Sequence, residues 1–482
     1  MEVLEADGYQ LARVVLQRGI ALVYLLAFVN VLLQWRPLLG ERGLAPVPAF
    51  VARVSARRSP SLFHLRYSDR LAMVLAATGA LLSAALLLGV VQAGPGWLTM
   101  VAFACLWALY LSFVNVGQAF YAFGWESLLL EAGFLAIFLG AGELAPSWVV
   151  LLAFRWLLVR VELGAGLIKL RGDPCWRELT CTEFHHETQP LPGPRSWRFH
   201  HLPRWAHRVE VGANHAVQLV VPLGLLLPQP VAGGAALAII VTQAWLLLSG
   251  NFAWLNLLTI VRAFAAVPDA WLEPLPAVLL GAESLPAADA LATPIGFAVV
   301  TVALGLLVVW RSWPPVVNLC SRRQRMNASH DPLRLVNSYG AFGSVTRTRH
   351  ELVLEAADAD GRWEAYELRG KPGDVARRPP RIAPYHLRLD WLLWFSAMRP
   401  DPTRQRWFRR LLRGLLDADP RLLRLFRHVP GAGVPPVAVR VRRYRYRFAS
   451  PDERRRDGVW WARDHGVELV PPVTRADVAA PR

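Results

Sequence analysis

Four cysteines in 482 residues are too few to staple a chain of this size, which excludes the disulfide scaffold of small secreted domains. Charge is scarce as well: 18% of residues are charged and 54% are apolar, a balance too greasy for an ordinary soluble enzyme. The chain has no G-x-S-x-G turn, no phosphate-cradling Walker loop and no closely spaced cysteine pair. Their absence removes the commonest serine-hydrolase, nucleotide-hydrolysing and structural-zinc readings. No internal repeat of fixed period is visible, which argues against a solenoid or an inverted-repeat transporter. Acidic residues are the short side of the charge balance, 36 against 53 Lys and Arg, for a net charge of +17. The basic residues cluster outside the apolar runs. That is the pattern of a membrane protein with basic flanks, so no nucleic-acid partner is expected.

Long apolar runs are what the sequence has in excess. A helix needs about 20 apolar residues to cross a bilayer. Runs of that order cover 19–35, 71–92, 98–117, 126–142, 147–169, 213–229, 231–249, 251–267 and 291–310. The N-terminus, "MEVLEADGYQLARVV", is acidic before it is apolar, so the first run is expected to remain as an anchor. Beyond Trp310 the character changes. "VNSYGAFGSVTRTRHELVLE" and "VAVRVRRYRYRFAS" alternate like strands, and "RQRWFRRLLRGLLDADPRLLRLFRH" has helical spacing. The expected fold is a polytopic α-helical membrane protein with about nine transmembrane helices over 1–310, including a re-entrant or interfacial loop at 170–212. A soluble β-rich or α/β domain follows over 311–482. The Ala, Leu and Arg bias is that of a GC-rich bacterial genome, which makes the cell inner membrane the expected location. With nine spans, arginine bias puts the loop at 170–212 and the C-terminal domain in the cytoplasm.

The run 147–169 carries charge. Arg155, Glu162 and Lys169 are seven apart, and seven residues bring a straight helix to within about 20° of its starting direction. Each step also rises about 10 Å. Charges inside a span are costly unless they face a bundle interior or a wet cavity, so this stripe is expected to line a polar interior. A structural ion pair with Lys169 snorkelling to the interface is the plainer alternative. Gly164 and Gly166 thin the same helix for close approach. Glu126, Glu131, Gln243, Asn251 and Asn256 are candidate partners.

The stripe runs into "LRGDPCWRELTCTEFHHETQP". Five residues separate Cys175 from Cys181, more than structural zinc pairs favour, so no metal is expected. On an oxidising face the two would close a small loop as a disulfide; on a cytoplasmic face they would remain thiols. Cys105, in an apolar run, is expected to be a small buried hydrophobe. His185, Glu187, His200, His201 and His207 are acid/base candidates, and interfacial anchoring is the bland reading of the same histidines.

Five blocks resemble the lipase maturation factor family: "AGLIKLRGDPCWRELTCTEFHHETQPLPGP", "HHLPRWAHRVEVGANHAVQLVVP", "LSGNFAWLNLLTIV", "VNSYGAFGSVTRTRHELVLE" and "APYHLRLDWLLWFSAM". Animal members of that family are endoplasmic-reticulum membrane proteins needed for secreted lipases to reach their active dimeric form. The resemblance implies membrane lipids and a client protein as partners, the client being a secreted lipase or another hydrolase. It also implies a chaperone-like role in which the C-terminal domain meets the client, around Tyr339, Phe342, Tyr385, Trp391 and Trp394. No cofactor is required in that reading, and it is not an enzyme's.

A second likeness is to the membrane domain of vitamin K-dependent γ-carboxylases, through "AGLIKL...CWREL" and "SGNFAWLNLLTI". It implies a membrane-embedded enzyme acting on a lipid or quinone, with Lys169 as base. Glu162 or Glu126 would orient it, Arg155 would keep Glu162 ionised, and His185 would serve as a further acid/base group. The carboxylases' supporting histidine falls where this chain has Trp125 and Glu126. Both families place the C-terminal domain on the lumenal or extracytoplasmic side, opposite to the arginine-bias expectation.

Overall fold

A computed structural model describes residues 4–273, 293–464 and 466–479. Its centre is a 30-residue helix, α1 (Gln10–Leu39), which buries one broad face along its whole length, from Leu16 through Tyr24 and Phe28 to Trp35. Against it lies α2 (Asp69–Leu87), started by Ser68, whose Oγ accepts from Leu71 N at 3.1 Å. Its inward residues are small (Ala72, Ala76, Gly79 and Ser83), which lets the Phe28 ring sit on the Gly79 backbone. Then come α3 (Gly96–Val116), α4 (Gly124–Ala136) and α5 (Trp148–Arg171). After a connecting segment, α8 (Val231–Ser249), α9 (Leu255–Ala263) and α10 (Ile295–Arg311) complete the bundle.

Among the described residues, five helices are long and apolar enough to cross a membrane: Gln10–Leu39, Asp69–Leu87, Gly96–Val116, Val231–Ser249 and Ile295–Cys320. Leu81, Leu306 and Val309 stand about 70% exposed on their outer faces, where acyl chains rather than water are the fitting solvent. Cys105, expected to be buried, is exposed on α3 for the same reason. The other four expected runs have different fates. At 126–142, α4 has 13 residues and ends in a 3-10 turn. At 251–267, α9 has nine and is buried in the bundle. At 147–169, α5 is long enough at 24 residues, but its charges lower its hydropathy.

The run 213–229 breaks differently. Its helix, α7 (Arg204–Leu219), begins after Pro203 and buries His207, Val211, Asn214 and Gln218, while Trp205 and Val209 are exposed along a large cavity.

The loop at 170–212 is folded. It contains α6 (Thr182–Thr188) and the start of α7, and it is sandwiched between the bundle and the C-terminal domain. That domain is built on an antiparallel sheet of β1 (Arg349–Ala357), β2 (Trp363–Ala365), β3 (Ala438–Phe448), β4 (Trp461–Arg463) and β5 (Val467–Val473), in the order β2-β1-β3-β4, with β5 also pairing β3. β1 and β3 pair from Arg349 opposite Tyr446 to Ala357 opposite Ala438. α11 (Arg388–Ala397) links this sheet to the bundle, and α12 (Arg406–Leu416) buries Trp407, Phe408, Leu411 and Leu415.

Buried ions fasten the joint. Arg388, on α11, donates to Glu126 Oε1 at 2.7 Å, to Asn30 Oδ1 at 2.8 Å and to Phe120 O at 2.7 Å, with its guanidinium over the Tyr121 ring. Tyr110 donates to the other Glu126 oxygen. Nearby, Glu131 pairs with Arg160 and accepts from Asn337 N at 2.9 Å and Tyr339 OH at 2.7 Å. Arg349 holds the loop through the carbonyls of Glu187 and Pro190. A charge pair this deep repays its desolvation only when its remaining valences are filled, and here most are filled from both sides of the joint, with Arg160 Nε, Arg349 Nε and Arg388 Nη2 left without a partner.

Candidate functional site

Between the bundle, the folded loop and the C-terminal domain lies a cavity of about 1,500 Å³. α5 supplies Glu162 and Lys169, α6 supplies His185 and His186, and α7 supplies Glu210, Asn214 and Gln218. The C-terminal domain closes the cavity with Tyr339, Phe342, Trp391 and Trp394. Lys169 is buried. Its Nζ donates to Asn214 Oδ1 at 2.7 Å and Gln218 Oε1 at 2.8 Å, and it lies 4.7 Å from the centre of the Trp176 ring. Its hydrogen-bonding partners are neutral amides. Glu162 likewise meets an amide: Gln243 Nε2 donates to it at 2.8 Å, and Asn256 Nδ2 donates to Gln243 Oε1 at 2.7 Å. The polar floor of the cavity is thus an amide-rich chain between a buried lysine and a buried carboxyl.

Close backbone approach makes this geometry possible. A Cβ on Gly164 would collide with the Tyr339 carbonyl, and one on Gly166 would press on Leu219 and Gln218. Phe342 takes a positive φ of 56°, a costly conformation for an aromatic residue. Its carbonyl accepts from Trp176 Nε1 at 2.8 Å, and its ring meets His185 edge-on at 4.9 Å.

The expected stripe divides. Glu162 and Lys169 face the cavity, whereas Arg155 is buried elsewhere, donating to Ala265 O at 2.9 Å and Tyr9 OH at 3.0 Å. Arg155 therefore does not keep Glu162 ionised. One helical heptad of rise is too far to span, and the carbonyl end just beyond α9 offers a cation a nearer partner. Glu126 is also not beside Lys169; it is committed to Arg388 and Tyr110. His185 lines the cavity, and burial, then His186, lowers its imidazole to about 3, so it is neutral at pH 7. Cys175 and Cys181 are joined as a disulfide.

Of the aromatic residues implied to meet a client, Tyr339 and Trp391 are buried, and Phe342, Tyr385 and Trp394 are half-buried. All but Tyr385 line the cavity, and Tyr385 accepts from Gln34 Nε2 at 3.0 Å. Sequence reasoning missed Asn214 and Gln218. Their four-residue spacing, which puts both on one face of a helix, was the available signal.

Residues 11–274 match the lipase maturation factor transmembrane domain, and residues 335–471 match the lipase maturation factor C-terminal domain. The chain belongs to the lipase maturation factor family. Lipase maturation factor 1 of Bos taurus is 42% identical over 98% of this chain and 91% of its own length. The Homo sapiens protein of that name is 40% identical over 98% and 89%. Lipase maturation factor 2 of Homo sapiens is 29% identical over 98% and 84%. No solved structure matches the chain. For a lipase maturation factor, the cavity joins both matched regions: Lys169 and Asn214 come from the first, and Tyr339 and Trp394 from the second.

Proposed function

We propose that this integral membrane protein assists the folding or assembly of a secreted lipase or other hydrolase, with the cavity as the place where client or lipid is received. The observation that carries this reading is the shared cavity: the C-terminal domain completes the aromatic wall and the bundle supplies the polar floor, so neither part offers the site alone. Phe395 and Met398, each more than 40% exposed, continue the apolar wall outward. The Cys175–Cys181 disulfide supports an oxidising, extracytoplasmic setting for this face, against the arginine bias. In a bacterial cell that is the outer face of the inner membrane, where a secreted client would fold.

The second reading is a membrane-embedded enzyme that takes a lipid or quinone, with Lys169 as base. It is favoured by the buried lysine on the cavity floor; against it, the resemblance puts Trp125, an indole with no basic nitrogen, where the carboxylases have their supporting histidine. One experiment separates the two. A photo-crosslinking residue is placed at Phe342 or Trp394 of the full-length protein, which is co-expressed with a secreted dimeric lipase. Adducts with the lipase, and a higher lipase activity per unit secreted mass, are expected. Adducts with lipid or quinone alone, without any gain in lipase activity, would reject the client reading in favour of the second.

A further inference from the structure

We infer that His186, His207 and Glu210 form a binding site for a first-row transition metal ion of the Zn²⁺ type, with three protein ligands and one position open to the cavity. The inference is independent of the client reading. One ligand atom from each residue lies within 4.8 Å of the others. Glu210 Oε2 is 3.0 Å from His186 Nε2 and 3.9 Å from His207 Nδ1. Zinc–ligand bonds of about 2.0–2.1 Å place tetrahedral donors about 3.3 Å apart, so side-chain shifts of about 1.5 Å or less would close the set.

The cluster is built rather than adventitious. His207 and Glu210 are three apart on α7 and share its inner face. His186 comes from α6, whose N-terminal flank is fixed by the disulfide at Cys181. The imidazoles of His186 and His207 are buried, at 1% and 2% exposure. Trp245, on α8, donates to Glu210 Oε1 at 2.8 Å, orienting the carboxylate and leaving Oε2 toward the histidines; such outer partners are typical of metal-ligating groups. Thr182 Oγ1 lies 3.2 Å from His207 Nδ1 and would give up that contact to the ion. Two imidazoles and one carboxylate suit zinc and its neighbours rather than Ca²⁺ or Mg²⁺, which prefer all-oxygen shells. His186 and Glu210 both line the cavity, so a fourth ligand would come from its contents. The site would clamp α6 to α7 and give the cavity a second cationic pole besides Lys169.

The cysteine-spacing argument could not find this site, because the cysteines bond to each other and the ligands come from two helices.

The test uses the full-length protein without a polyhistidine tag, in nanodiscs, stripped by a chelator and kept free of thiol reductant. Co²⁺ is titrated first, followed by displacement with Zn²⁺. One equivalent is expected, with the visible absorption of a low-coordinate nitrogen/oxygen site and no thiolate charge-transfer band. His207→Ala should weaken Zn²⁺ binding about 100-fold and Glu210→Gln about 10-fold, while His201→Ala should bind as the wild type does. Zn²⁺ should raise the thermal midpoint of the wild type and leave that of His207→Ala unchanged, which separates lost binding from lost folding. Wild-type binding well below one equivalent, an octahedral cobalt spectrum, or undiminished affinity in a His186→Ala/His207→Ala double variant would overturn the site.

Discussion

Glu126 and Lys169 are both buried ions on bundle helices, yet their surroundings differ in kind. Glu126 spends its oxygens on Arg388 and Tyr110 and does not itself line the cavity. Lys169 rests on two neutral amides and borders about 1,500 Å³ of open space. Evolution of a stable joint asks for the first arrangement, because a deep charge must be matched. A receiving site asks for the second, because an ion already matched by a counter-ion has little left to give a ligand. Charge that fastens and charge that waits should respond differently to mutation.

The largest expected effect is at the fastening end. Arg388→Ala strands Glu126 without its counter-ion, and about 3–5 kcal/mol of stability should be lost, read as a lower thermal midpoint and poor recovery of folded protein. Arg388→Met combined with Glu126→Gln should recover much of that loss, since both charges leave together. A single variant that unfolds at the wild-type temperature would show that the joint does not depend on this pair.

The next effect is at the disulfide. The Cys175–Cys181 bridge has a sequence separation of six, and closing so small a loop is worth about 2 kcal/mol by chain entropy. Cys175→Ser/Cys181→Ser should lower the midpoint in non-reducing buffer and match the reduced wild type. An unchanged midpoint would mean that the loop is held by packing alone.

Sequence pattern revealed the bundle, the C-terminal sheet and the inward face of Glu162 and Lys169, because apolar runs and heptad spacing are local properties. The membrane-crossing count was not legible in the same way. α9 and α4 read as spans because buried bundle segments and lipid-facing ones are equally apolar. The partners of Arg155 and Glu126 were also hidden: Tyr9 is 146 residues from Arg155, and Arg388 is 262 from Glu126. Periodicity says which way a side chain points, but the fold decides what waits there. Stretches of the family blocks from both halves meet at the cavity.

A smaller effect concerns Asp390, which sits in the C-terminal domain near the fastening ions and accepts from Gly370 N at 2.7 Å. Burial raises its carboxyl to about 6 from 3.8. Between those values the folded chain binds a proton that the unfolded chain does not, so this residue's contribution to stability grows as pH falls from 6 toward 3.8. At pH 7 its ionised form costs on the order of 3 kcal/mol, of which an asparagine recovers a part. Asp390→Asn should therefore exceed the wild type in thermal midpoint at pH 7, and that advantage should shrink by pH 4.5. An advantage that does not change with pH would assign the gain to packing rather than to ionisation.

The smallest effect on stability is expected at the waiting end, where the functional effect is greatest. Lys169→Met removes a charge that is hydrogen-bonded to the neutral amides of Asn214 and Gln218 and set over the Trp176 ring. The side chain keeps its length, and amides beside a cavity can turn to other donors or to water. The thermal midpoint should move by less than about 1 kcal/mol in equivalent stability, well inside the loss at Arg388. If the cavity receives a lipid, quinone or client group through this ammonium, the same variant should fail to raise lipase activity in co-expression and should lose adducts at Phe342. A variant that folds and assists as the wild type does would show that Lys169 merely fills a polar gap. Unfolding on the scale of Arg388→Ala would place it with the fastening charges.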